Sequence, residues 1–169
     1  RPTLLKDEFN RTAESSKKTY AFIEAIQYLA NNNKGYDIVL RPHPTENIET
    51  WKVYLEGTPN VHVIREGSIT PWVNNSFALM HNGCTTALEA SVSKKPIITY
   101  VPFQTYHDDC PPNQLGYRIE SLEDLSLRVN AIFDVIKSGN QKDETEKLPH
   151  VVSKKVYLDN NELAAEKIV

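Results

Sequence analysis

Two clusters of polar residues in this sequence have the types and spacing needed to bind a phosphate. The first is the turn containing Gly83, Thr85 and Thr86, which lies between an apolar segment and a helical pattern. Backbone N–H groups, two hydroxyls and the positive end of a helix dipole would meet there. The second cluster, Arg41 and His43, follows another apolar segment. Because parallel strands end at one edge of a sheet, we expect both clusters to share a crevice, as in nucleotide sites.

His43 lies between Pro42 and Pro44, which keep its backbone out of helical conformation. In one interpretation it is the catalytic residue, assisted by Arg41. Its imidazole would donate a hydrogen bond to a nucleotide phosphate and, when protonated, would stabilise charge on that phosphate as it departs. In the other interpretation it is an exposed histidine of a turn.

The two threonines and Glu89 also have two interpretations each. Thr85 and Thr86 bind phosphate or cap the following helix, where a threonine cap contributes about 1 kcal/mol. Glu89 stands three residues after Thr86, which is the spacing of a capping box. Alternatively, its carboxylate accepts hydrogen bonds from both hydroxyls of a ribose whose phosphate lies on the turn.

Further polar residues follow the predicted strands at the same edge. Glu66 and Ser68 add an acceptor and a flexible turn, and Asn82 directly precedes the phosphate turn. Trp72 either walls the pocket or packs in the core, and His81 either lines the pocket or supports it. The predicted substrate-binding residues are Arg41, Pro44, Glu66, Ser68, Asn82, Gly83, Thr85, Thr86 and Glu89.

The composition predicts one globular domain over residues 1–169. The chain is 40% hydrophobic and 24% charged, which suits one core. A net charge of −3 argues against a protein that coats nucleic acid, so pairs such as Lys17 and Lys18 are interpreted as solvated faces. The chain opens on Arg1 with a polar, poorly periodic segment at 1–19, so we expect a fragment of a longer protein.

Cysteine usage and hydropathy bear on the redox compartment, on metal binding and on membrane contact. Cys84 and Cys110 lack zinc or redox spacing, which is typical of a reducing cytosol. Segment 107–110 holds adjacent potential ligands without the spacing of a known metal site, so no metal is expected. The sequence has no run of about 18 apolar residues, so any membrane contact would be peripheral.

The elements that must position these residues alternate between strand and helix. Short apolar runs predict strands at 37–41, 60–65, 77–81 and 96–101. Helical patterns predict helices at 16–33, 47–55, 85–93, 121–137 and 160–169, and a single helical turn at 69–75. Segment 104–116 is expected to be an irregular loop, and 138–149 to be charged and mobile. This order predicts an α/β fold, a Rossmann-like parallel sheet with helices on both faces.

Residues 37–101 resemble bacterial surface carbohydrate biosynthesis proteins. The resemblance depends on five motifs, which are Arg-Pro-His-Pro at 41–44, Asn-Val-His-Val-Ile at 60–64, Ser-Ile-Thr-Pro-Trp at 68–72, His-Asn-Gly-Cys-Thr-Thr-Ala-Leu-Glu-Ala at 81–90 and Lys-Pro at 95–96. These proteins look like the donor-binding C-terminal halves of GT-B glycosyltransferases. They are related to Kdo transferases, His-Pro motif sialyltransferases and CDP-glycerol glycerophosphotransferases, which use cytidine nucleotides.

The resemblance implies a function and a role for each matching residue. His43 and Pro44 correspond to the phosphate motif, Thr85 and Thr86 to the hydroxyl pair on the phosphate, and Glu89 to the ribose carboxylate. The implied activity moves a sugar from a CMP-activated donor, of Kdo or nonulosonic acid type, to a bacterial surface glycan without a cofactor. The acceptor would bind to a missing N-terminal domain, so the isolated chain would be nearly inactive. The implied location is the cytoplasm or the inner face of the cell membrane.

Two alternatives to a glycosyltransferase remain. A UDP-N-acetylglucosamine 2-epimerase-like enzyme would share the fold, but the turn here has Ala-Leu-Glu at 87–89 where those enzymes carry a doubled acid. A noncatalytic nucleotide-sugar-binding domain would bind without turnover. The usual Gln and Asn-Ala signature of the transferases is reduced to Asn-Gln-Leu-Gly at 113–116, which leaves the donor-sugar contacts open.

Overall fold

The computed structural model describes residues 2–105 and 108–139. In that part of the chain, helices and strands alternate as the sequence predicts. The helices are α1 (Pro2–Asn31), α2 (Ile48–Leu55), α3 (Ile69–Asn75), α4 (Thr86–Val92) and α5 (Leu122–Lys137), and a 3-10 turn covers Pro111–Gln114. The strands are β1 (Ile38–Leu40), β2 (Val61–Val63), β3 (Leu79–His81), β4 (Ile97–Tyr100) and β5 (Tyr117–Ile119).

All strand pairs in this region are parallel, and they form two small sheets. β1 pairs with β2, and β4 lies between β3 and β5. The Rossmann-like α/β class is therefore confirmed, although the strands form two sheets where one was expected. β5 falls next to the segment predicted as an irregular loop and was missed, because its three residues contain no apolar run.

Helices cover both faces of the three-stranded sheet. On one face, Ile98 of β4 packs with Leu125 of α5 and with α1. On the other face, Ile97 packs against Ala87 and Ala90 of α4. All four residues of β4 are buried as a result. α1 and α2 cover β1 and β2, where Trp51 is 4% exposed.

α1 is far longer than the predicted helix at 16–33. It has 30 residues, which corresponds to about 45 Å at 1.5 Å per residue. Leu5 and Phe9 in its first half are 69% and 74% exposed. A helix without a buried face has no apolar period to detect, which is why the sequence did not predict this half. The predicted helix at 160–169 and residues 140–149 of the segment predicted to be mobile lie outside the described residues.

Gly116 supplies a stringent test of the β4–β5 packing. It has φ +70°, and a Cβ there would overlap the carbonyl carbon and oxygen of Ile97. Gly57 has a similar φ of +73° with no atom within 4 Å of the same position, so it is a matched control. We expect Gly57→Ala to cost about 1 kcal/mol of unfolding free energy and Gly116→Ala about 3 kcal/mol or more, measured by urea denaturation. Equal losses would contradict the close approach of the two strands.

Candidate functional site

The carboxyl ends of β1 and β2 are joined by two arginines, each of which binds the loop that follows the other strand. The Arg41 guanidinium donates to the backbone carbonyls of residues 65–67 at 2.8–3.1 Å. Arg65 in turn donates to the carbonyls of His43 and Glu46 at 3.2 and 2.6 Å. We call this pair the arginine clamp. It fixes the backbone of both loops, because charged donors form strong hydrogen bonds to carbonyls.

His43 is exposed, but its ring is oriented by its neighbours. Its backbone N–H donates to the Glu46 carboxylate at 2.6 Å. The backbone N–H of Thr45 donates to Nδ1 at 3.3 Å, and the Thr45 hydroxyl lies 2.7 Å from the same nitrogen. Because Nδ1 accepts a hydrogen bond, the neutral ring carries its proton on Nε2. Nε2 has no partner among the described residues, so it is available to donate to a ligand.

Arg41 and Glu66, both predicted to bind substrate, lie at the arginine clamp, where Arg41 donates to the Glu66 carbonyl. The Arg41 guanidinium lies 5.4 Å from the centre of the Trp72 ring, a cation–π distance. Trp72 is half-buried against this arginine. Backbone N–H groups of Glu66 and Arg65 lower the pKa of the exposed Glu66 carboxyl. The charge of Arg41 is thus directed at carbonyl oxygens and an aromatic face.

The predicted residues on α3 and α4 contact each other. Ser68 caps α3 by accepting from the N–H of Thr70 at 3.4 Å. The Thr70 hydroxyl donates to the Glu89 carboxylate at 3.1 Å, which joins α3 to α4. The N-cap of α4 is Thr85, whose side chain makes no cap hydrogen bond. The capping box considered from the sequence, with Thr86 as the cap, therefore does not form.

The turn after β3 is closed by internal hydrogen bonds. Gly83, at φ +74°, donates its N–H to Oδ1 of Asn113 at 2.6 Å. Asn82 donates from Nδ2 to the Tyr100 carbonyl at 2.9 Å and accepts at Oδ1 from Asn113 at 3.4 Å. Asn113 lies in the 3-10 turn and is 6% exposed. The backbone N–H of Gly83 that the sequence offered to a phosphate is thus bound within the protein.

α1 brings a lysine to this same turn. Lys18 Nζ lies 3.2 Å from Asn82 Oδ1 and 3.8 Å from Asp108 Oδ1, and its side chain is 26% exposed. The prediction of a solvated face is therefore wrong for Lys18, while Lys17 lies 4.2 Å from the ring centre of Phe103. The sequence could not reveal this, because the partners of Lys18 are distant in the chain.

Asp108 also holds the loop after β4. Its carboxylate accepts hydrogen bonds from the backbone N–H and the hydroxyl of Thr105. Burial acts to raise the pKa of Asp108, but the hydrogen bonds from Thr105 and the charges of Lys18 and Arg118 lower that pKa overall. Asp108 is therefore a carboxylate at neutral pH and a partner for the ammonium of Lys18.

His81 is 4% exposed, so it is buried in the core and does not line the site. Thr99 donates its hydroxyl hydrogen to the carbonyl of Leu115 at 2.7 Å. The Thr99 oxygen therefore accepts from His81 Nε2–H at 3.0 Å, which leaves Nδ1 buried without a partner among the described residues. Burial lowers the pKa of His81 to about 4, so the ring is neutral at physiological pH.

These contacts join some of the predicted site residues, whereas Asn82 and Gly83 are bound instead to Tyr100 and Asn113. The arginine clamp joins the loops after β1 and β2, and the bond from Thr70 to Glu89 continues to α4. Among the described residues, no hydrogen bond links His43 directly to Thr85 or Thr86. An open cavity of about 240 Å³ lies elsewhere, between the end of α1 and the loop at 56–59 that precedes β2.

Comparison with known proteins finds no matching family model, curated protein or solved structure. Two structural features are absent from the described residues. No group of three or more His, Cys, Asp or Glu side chains is arranged to hold a metal ion there. No helix in this part of the chain is both long and apolar enough to cross a membrane.

The arginine clamp predicts an energetic coupling between Arg41 and Arg65. Each arginine binds the loop that carries the other arginine, so replacing one removes part of the benefit of its partner. We expect a double-mutant cycle of Arg41→Met and Arg65→Met, measured by urea denaturation, to give a coupling of about 1 kcal/mol. The exposed pair Lys34 and Asp134, 2.9 Å apart, serves as the control and should couple by less than about 0.5 kcal/mol. Additive effects of the arginine replacements would contradict the clamp.

Burial of neutral His81 predicts a loss of stability in acid. An unfolded histidine titrates near pH 6.5 and the folded one near 4, so the unfolded chain binds a proton first as the pH falls. The contribution is complete above about pH 6.5 and is lost down to about pH 4, by roughly 3 kcal/mol. Denaturation from pH 7.5 to 4 should show that His81→Gln removes this dependence, whereas exposed His62→Gln keeps it. A wild-type profile unchanged by His81→Gln would contradict this assignment.

Proposed function

We propose that this chain is the donor-binding domain of a glycosyltransferase that moves a sugar from a CMP-activated donor to a bacterial surface glycan. The donor sugar is of Kdo or nonulosonic acid type. The observation that carries the proposal is the oriented imidazole of His43, whose Nε2–H has no partner among the described residues, in a loop fixed by the arginine clamp. A fixed donor beside a strand end favours an anionic ligand at that edge.

The proposed reaction breaks the bond between the anomeric carbon of the sugar and the phosphate oxygen of CMP. The bonding electron pair leaves with that oxygen, and His43 donates a hydrogen bond to the phosphate as its charge develops. The acceptor hydroxyl forms the new bond to the anomeric carbon and gives its proton to a base on a separate N-terminal domain. His43 and the other phosphate-binding residues of this chain would stabilise the leaving phosphate without a cofactor.

Thr85 and Glu89 complete the proposed nucleotide contacts. Thr85 is exposed, and its hydroxyl makes no cap bond, so it is available to the phosphate together with Thr86. Glu89 accepts from Thr70 through Oε2. Its other carboxylate oxygen has no partner among the described residues and can accept from a ribose hydroxyl. We place the reaction in the cytoplasm or at the inner face of the cell membrane.

Calorimetric titration with CMP, CDP and UDP tests the proposal. We expect CMP to bind most tightly and His43→Ala to weaken it about tenfold, since a lost charge-assisted hydrogen bond costs about 1.4 kcal/mol. His62 is exposed on β2, and His62→Ala should leave the affinity unchanged. Preference for UDP would favour the epimerase-like alternative. Equal or absent binding of all three nucleotides would contradict a nucleotide site.

Examining the full-length parent protein would distinguish a glycosyltransferase from a protein that only binds the nucleotide sugar. A partner domain with an Asp or Glu facing the cleft would supply the base that the proposed reaction needs. A parent without such a domain would instead favour a noncatalytic nucleotide-sugar-binding protein.

A further inference from the structure

Two of the donors that the turn after β3 could offer to a phosphate are engaged within the protein, so a positive group nearby would strengthen binding there. The N–H of Gly83 is bound to Asn113, and the amide of Asn82 is bound to the carbonyl of Tyr100. α4 contributes little dipole, since it has only seven residues. Arg41 directs its guanidinium at three carbonyl oxygens of another loop.

Lys18 is the cation that the fold brings to this turn. An ammonium carries three N–H donors. One is used on Asn82 Oδ1 at 3.2 Å, and Asp108 lies at 3.8 Å, beyond ordinary hydrogen-bond distance. At least one donor therefore has no partner among the described residues. The side chain is 26% exposed, so a ligand can reach the ammonium while burial strengthens its attraction for an anion.

The surroundings hold Lys18 in this position without neutralising it completely. Asp108 shares its carboxylate with the backbone N–H and the hydroxyl of Thr105. Asn82 Oδ1 accepts from both Lys18 and Asn113, so the ammonium is tied to the turn that carries Gly83. The position of Nζ is thus set by β3 and the 3-10 turn as well as by α1.

We propose that Lys18 binds the phosphate of the nucleotide at the turn after β3, so that α1 supplies positive charge to the donor site. This inference rests on the proposed function and adds a ligand to it from a helix outside the strand-end loops. Lys18 keeps its hydrogen bond to Asn82 and donates a remaining N–H to a phosphate oxygen. The recognised group is the phosphate of a cytidine nucleotide, not the base or the ribose.

Lys17 provides a matched control, since it has the same charge on the adjacent residue but contacts Phe103. Calorimetry would compare wild type, Lys18→Gln and Lys17→Gln with CMP and with cytidine, which lacks the phosphate. We expect Lys18→Gln to weaken CMP about tenfold, to leave cytidine unchanged and to reduce the salt dependence of CMP binding. Lys17→Gln should keep the wild-type affinity for both ligands.

Urea denaturation of the same variants identifies any effect on folding, and Lys18→Arg, which keeps the charge, should recover part of the CMP affinity. If wild type binds CMP and Lys18→Gln binds it equally well, the assignment of Lys18 is overturned and the proposed function stands. Equal weakening of CMP and cytidine by Lys18→Gln also overturns it, because the effect then does not depend on the phosphate. If wild type binds no nucleotide, the proposed function fails and the assignment fails with it.

Discussion

The reciprocal binding of two arginines to backbone carbonyls holds the rim of the candidate site in place. β1 and β2 have only three residues each, and a sheet of two such strands is marginal by itself. Arg41 and Arg65 add five hydrogen bonds beyond the strand ends, all to carbonyl oxygens. Charged donors make these bonds stronger than neutral ones. The clamp therefore fixes the loop of His43, and the orientation of its ring follows from local contacts with Thr45.

α1 connects the two sheets and the turn after β3. Ala25 and Leu29 pack in the cluster around β4, whereas Ile23 and Ile26 pack against β1 and β2. One rigid element thus sets the position of both sheets, and it also brings Lys18 to Asn82. A change in the packing of α1 would move the ammonium relative to the turn. The structural role of this helix and its proposed role in binding are therefore coupled.

His81 and His43 differ in burial and therefore in what their rings can bind. His81 is buried against Thr99 and its pKa is lowered by burial, so it holds the 3-10 turn as a neutral hydrogen-bond donor. His43 is exposed and keeps one ring nitrogen without a partner among the described residues. Only the second histidine can meet a ligand that enters from solvent. The buried one acts on the site through Leu115 and the neighbouring Asn113, which binds Gly83.

The sequence by itself determined the α/β class and the bounds of α2, α3 and α5 within one residue, because apolar periodicity reports which face of each element is buried. It also marked the strand-end loop that carries His43 and the helix that carries Glu89. Only the tertiary structure decided that Arg41 binds carbonyls, that Asn113 takes the N–H of Gly83 and that Lys18 reaches Asn82. Each of these contacts joins residues more than 20 positions apart, and local spacing carries no information about such pairs. The first half of α1 and the strand β5 were missed for a related reason, since neither displays an apolar period of its own.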